Sequence, residues 1–137
     1  MSLFDSMGIA STALEAQTAR LNTIASNMAN ANTVAGSAEE TYVARYPVFQ
    51  AVLDDVTGDG SQLGVKVADI VEAGGPARRE FNPNHPLADE EGFIYTPDIN
   101  AATEMANMMS ASRSYQNAIE AINTAKQLAL RTLTLGK

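Results

Sequence analysis

The sequence predicts a mainly α fold in which long N- and C-terminal helices pair as a coiled coil and carry a short β-rich insertion between them. Three observations carry this reading. Residues 4–31 hold a seven-residue apolar repeat, residues 100–135 hold a second, and residues 37–98 change to β-branched and aromatic side chains between turn residues. The 137-residue chain thereby divides into 1–36 with 99–137, a discontinuous helical domain, and 37–98, a small β and loop domain.

In the first helix Met7, Leu14, Leu21 and Met28 share one register, and Ala10, Gln17, Ile24 and Ala31 follow three residues later. These are the a and d positions of a heptad pattern, with Gln17 its only polar member. A helix over this span is about 42 Å long. Its stripe is narrow and rich in alanine, which favours helix but buries little surface. Such a stripe suits close approach of another helix better than a thick core. Asn22, Asn27, Asn30 and Asn32 interrupt this segment. Asparagine competes for nearby backbone groups and tolerates turns. Asn27, Asn30 and Asn32 are therefore expected to act where the helix stops and turns, and Asn22 to bond across to a neighbouring helix.

The middle follows. "TYVARYPVF" and "QLGVKVADIV" read as strands, "TGDGSQ" between them as a turn, and Phe93–Tyr95 as a further short strand in a loop-rich stretch. In the last segment Met105, Met108, Tyr115, Ile119 and Ile122 keep heptad spacing, with Ser112 polar among them. After Ile122 the apolar positions drift to Ala125, Leu128 and Leu135, a local shift of register. Asp98 or Asn100 caps this helix, Glu104 suits its first turn, and Gly136 its end. Eight alanines in residues 1–36 and eight in 100–135 leave both helices thin, so they gain most by packing among copies or relatives.

Charge and chemistry exclude several classes of function. Residues 37–98 carry a net charge of −8, against −7 for the whole chain, and lie between near-neutral ends. An acidic middle opposes nucleic-acid binding and anionic membrane surfaces. No cysteine is present, which removes disulfides, thiol catalysis and thiolate metal sites. No apolar run approaches a membrane span, and the first residues lack the basic start and apolar core of a cleaved signal. That places the protein in the cytoplasm unless it leaves by a route that needs no cleaved signal. His85, the only histidine, has no second imidazole to share a metal, and Ser110, Ser112 and Ser114 lie on a helix without a base nearby. "DDVTGDG" hints at a calcium loop, but Lys66 stands where such a loop needs its glutamate. No catalytic residue, cofactor site or metal site is predicted.

"ALEAQTARLNTIASNMANANTVAG", residues 13–36, resembles the N-terminal signature of the flagellar rod and hook proteins, its motif falling on Asn27, Ala29, Asn30, Thr33 and Gly36. "EMANMMSASRSYQNAIEAINTAKQLALRTLTLG" looks like the matching C-terminus, and "NPNHPLADEEGFIYTPDIN" is similar to a segment marking a short member of the proximal rod. The resemblance implies a structural rod subunit that polymerises through its terminal helices, forming part of a drive shaft and of an export-channel wall. Leu14, Leu21, Ile24, Met28, Met105, Met108, Tyr115, Ile119 and Ile122 are then the expected assembly interface. It further implies other rod proteins, copies of itself and the flagellar type III export apparatus as partners, and a periplasmic place in the basal body. The alternatives are another short rod component, or a soluble coiled-coil adaptor whose helices are ordered in isolation.

Overall fold

The computed structural model describes residues 3–54 and 62–135. Along the chain come α1 (Leu3–Asn30), β1 (Arg45–Asp54), β2 (Gln62–Glu72), β3 (Arg78–Phe81), β4 (Phe93–Thr96) and α2 (Ala101–Leu135). Two helices thus flank a small β insertion. The turn between β1 and β2 and the calcium-like stretch fall almost wholly outside the described residues, as does Gly136. No helix among the described residues is long and apolar enough to cross a membrane.

The strands form two separate pairs, β1 with β2 and β3 with β4. The second is antiparallel, from Arg78 opposite Thr96 to Phe81 opposite Phe93. Strand β3 was not expected. Its four residues, Arg-Arg-Glu-Phe, lie between Gly-Gly-Pro-Ala and Asn-Pro, whose turn chemistry hides a strand this short. The pair closes with Phe81 edge-on to Phe93 at 5.1 Å, and the Arg79 guanidinium stacks 3.7 Å from the Phe93 ring centre. Between the strands Gly92 takes a positive φ of 82°, where an added Cβ would come within 3.0 Å of Pro83. Only glycine meets both demands cheaply.

The chain forms two compact units. One comprises Met1–Leu21, Pro47–Asp69 and Met109–Lys137, the other Asn22–Tyr46 and Ile70–Met108. In the first, the Thr12 hydroxyl donates to the Ile9 carbonyl at 2.8 Å and accepts from the Val65 N–H at 3.2 Å, so a helix side chain meets the backbone of β2. An added Cβ on Gly64 would stand 3.3 Å from that hydroxyl, a tight contact that Thr12 would have to yield to by a few tenths of an ångström. In the second unit a small core gathers Ala31, Ala44 and Ile99 with Tyr42 packed against them. The Asn100 side chain accepts from the N–H groups of Ala102 and Thr103 at 3.0 and 3.2 Å and caps α2. Asp98 is committed instead to the Arg78 guanidinium at 2.8 Å.

The buried lines of the helices differ from the expected stripes. On α2 the buried residues are Glu104, Ala111 and Ala125, spaced by multiples of seven, with Met108, Tyr115 and Ile122 half-buried alongside. The line therefore keeps one register past Ile122, and the expected drift does not occur. Of the three positions that suggested it, Ala125 is buried, in the register of Glu104 and Ala111, whereas Leu128 and Leu135 are 49% and 88% exposed. Alanine marks where backbones come closest but contributes little to an apolar pattern, so the register of a buried alanine line is faint in the sequence.

Candidate assembly surface

Asn27 is the best-anchored side chain of the second unit. It is fully buried and makes four hydrogen bonds. Its Oδ1 accepts from the Arg45 N–H at 2.9 Å and from the Tyr42 hydroxyl at 2.9 Å. Its Nδ2 donates to the Arg45 carbonyl at 3.0 Å and to Glu104 Oε2 at 3.2 Å. A primary amide presents C=O and N–H side by side, as a peptide does, so Asn27 stands in for a strand residue opposite Arg45. Glu104 is 3% exposed, and its other oxygen accepts from Asn107 Nδ2 at 3.1 Å. One amide thus ties α1 to the start of β1 and the start of α2. A side chain with four satisfied bonds is costly to replace, because each partner left bare in the interior costs about 1–3 kcal/mol. Nearby, burial and then the charge of Glu104 push the Tyr46 phenol above its usual range.

Asn27 lies in the last turn of α1, as expected, but faces inward and bonds the returning chain at Tyr42 and Arg45 instead of capping the helix end. Asn30 does act there: its Nδ2 donates to the Ser26 carbonyl at 2.8 Å, and its own carbonyl accepts from both the N–H and the hydroxyl of Thr33. Asn22 and Asn32 are exposed. Beyond the helix Ala35 exchanges two backbone bonds with Tyr95, at 2.8 and 3.0 Å, which fastens the motif segment to β4. Gly36 lies against the Leu87 carbonyl, where an added Cβ would make an ordinary contact at 3.4 Å. Ala29 is exposed.

The expected interface residues fall into three groups. Ile24 is buried within the subunit at 3% exposure. Leu14, Leu21, Met28, Met108, Tyr115 and Ile122 are half-buried. Met105 and Ile119 are exposed, at 53% and 37%. Among the described residues the Oε1 of Gln17, the polar member of the α1 stripe, is buried with no partner. Glu104, Tyr42 and Arg45 were missed as partners of the motif. Glu104 left a signal, an acid standing seven residues before Ala111 on one helix face. Arg45 left none, because it takes part through its backbone.

The segment before α2 is held by Asp89. Its Oδ1 accepts from the N–H groups of Phe93 and Glu91 at 2.8 and 3.0 Å, and its Oδ2 from the Tyr95 hydroxyl at 3.1 Å. His85 serves the same loop, its Nδ1 accepting from the Leu87 N–H at 3.1 Å. The Phe93 N–H, followed by the Tyr95 hydroxyl, holds the Asp89 carboxyl below its ordinary value of 3.8. A pKa lower in the folded than in the unfolded chain stabilises the fold above about 3.8 and ceases to do so as pH falls through the lowered value. Acid titration followed by NMR should therefore move the Phe93 and Glu91 amides at a pH below that of an unperturbed aspartate, and Asp89→Asn should abolish the step. Titration at the ordinary value would refute this.

Comparison with known proteins bears on the whole chain. Residues 7–36 match the family described as flagella basal body rod protein, and residues 90–135 match flagellar basal body rod FlgEFG protein C-terminal. The chain is 44% identical to the flagellar basal-body rod protein FlgC of Escherichia coli O157:H7, 45% to that of Salmonella typhimurium LT2 and 46% to that of Yersinia enterocolitica. Each alignment runs over 137 residues and covers all of both chains.

Proposed function

Because the chain belongs to the FlgC family of flagellar basal-body rod proteins, we propose that it polymerises through its terminal helices in the proximal rod. It is a structural subunit of the flagellar basal-body rod, and its family assembles with other rod proteins. The observation that carries the finer reading is unspent apolar surface on both helices. Leu14, Leu21 and Met28 remain half-buried on α1, and Leu128, Leu130, Leu133 and Leu135 are 49–88% exposed on α2. Exposed apolar patches of this kind mark surfaces that another chain covers. In this reading residues 1–36 and 99–137 form a coiled-coil layer against copies and other rod proteins, and 37–98 is the small β and loop domain carried between them. The polymer then acts as drive shaft and as a wall of the export channel, and the subunit reaches its periplasmic place through the type III apparatus without a cleaved signal. Nothing in this role calls for catalysis. Deleting the gene in its native bacterium is expected to abolish rods and swimming, and the wild-type chain to restore both. A deletion strain that still builds complete rods would overturn the reading.

A further inference from the structure

The β1–β2 pair carries a hazard. Val48, Phe49 and Val52 of β1 and Val65, Ile70 and Val71 of β2 are all 37–48% exposed. A two-stranded sheet has two edges, and an open edge rich in such side chains templates pairing with another chain. The outer edge of β1 can be identified from its hydrogen bonds. The Ala44 carbonyl accepts from the Ala73 N–H at 2.9 Å, so position 44, just before β1, faces the partner strand. Backbone groups alternate sides along a strand. Arg45, Pro47, Phe49 and Ala51 therefore turn theirs to the outer edge.

At that edge Arg45 has no backbone group to offer, since the Asn27 amide takes both its N–H and its carbonyl. Two residues on, Pro47 has no N–H at all, and proline within strands is confined to unpaired edges for that reason. The next outward N–H belongs to Phe49. We infer that Asn27 and Pro47 close the leading part of the outer edge of β1 against strand addition by a second copy of this chain. The inference does not depend on the rod assignment. It explains how valine-rich strands stay exposed on a subunit without pairing edge to edge.

The test restores the missing donor. Pro47→Ala in the full chain returns an N–H to the edge with a side chain no more apolar than proline. It is expected to raise self-association several-fold in light scattering, together with an intermolecular β band in the infrared amide region. Adding Ala51→Pro to that variant removes an N–H from the same edge and is expected to return association to the parental level. Pro47→Ala that associates no more than the parent overturns the inference. So does a double variant that associates as strongly as Pro47→Ala, because the edge would then not be the route.

Discussion

Asn27→Asp is expected to destabilise the subunit by about 3–5 kcal/mol at neutral pH, the cost of leaving an uncompensated charge in the interior. One nitrogen becomes oxygen. The Arg45 carbonyl loses its donor, and a carboxylate arrives where Nδ2 stood 3.2 Å from Glu104 Oε2. Asn27 is fully buried and Glu104 is 3% exposed, so water relieves neither charge. Two carboxylates sharing a site titrate as a pair with one pKa strongly raised. A pKa raised in the folded chain favours folding at low pH and opposes it as pH rises. The variant should therefore recover part of its deficit in mild acid, above the range in which Asp89 loses its own contribution. Native stabilities are about 5–15 kcal/mol, so a deficit of this size is large enough to unfold a marginal domain. Urea unfolding across pH checks the prediction. Glu104→Gln in the same background should restore part of the loss, since its amide can donate to the introduced carboxylate while the Arg45 carbonyl stays bare. A variant within about 0.5 kcal/mol of the parent at neutral pH would mean that the node contributes no more than an ordinary surface site.

The second large effect separates folding from assembly. Ile24 and Leu21 both lie on the α1 stripe, yet Ile24 is 3% exposed and Leu21 only half-buried. Ile24→Asp places a charge in the subunit's own interior and should cost several kcal/mol in the isolated chain. Leu21→Asp has water on one side and should cost the isolated chain far less. If Leu21 lies in the helix layer of the rod, that same change still blocks assembly, because the charge becomes buried only there. Unfolding midpoints of the two purified variants, read beside electron micrographs of basal bodies, decide the matter. Complete rods built from Leu21→Asp subunits would place this residue outside the interface.

Both helices were legible almost to the residue, because long periodic runs and a capping asparagine are strong local signals. The faces they bury were only half legible. Ala111 and Ala125 define the buried line of α2, but an alanine inside a packed layer looks the same in sequence as one outside it. The first apolar stripe correctly held Ile24 and Ala31, whereas among the described residues Ala16, Thr23 and Asn27 are buried too. Two of those are polar, and polarity argued for the solvent side. Asn27 itself stood out as an anomaly, but its role depended on Arg45, 18 residues away, and on Glu104, 77 residues away. Contacts at that separation leave no periodic trace. Strand β3 was hidden by its brevity and by the turn residues on both sides.

The Asn27 node also shapes how substitutions at its positions can be linked. Asn27 reads residue 45 through main-chain atoms alone, so any residue with an N–H satisfies it and only proline is barred. It reads residue 104 through a side chain, so a change at either of those positions must be answered at the other. Among related sequences, positions 27 and 104 should therefore vary together, while position 45, joined to Asn27 by two bonds, drifts independently of it.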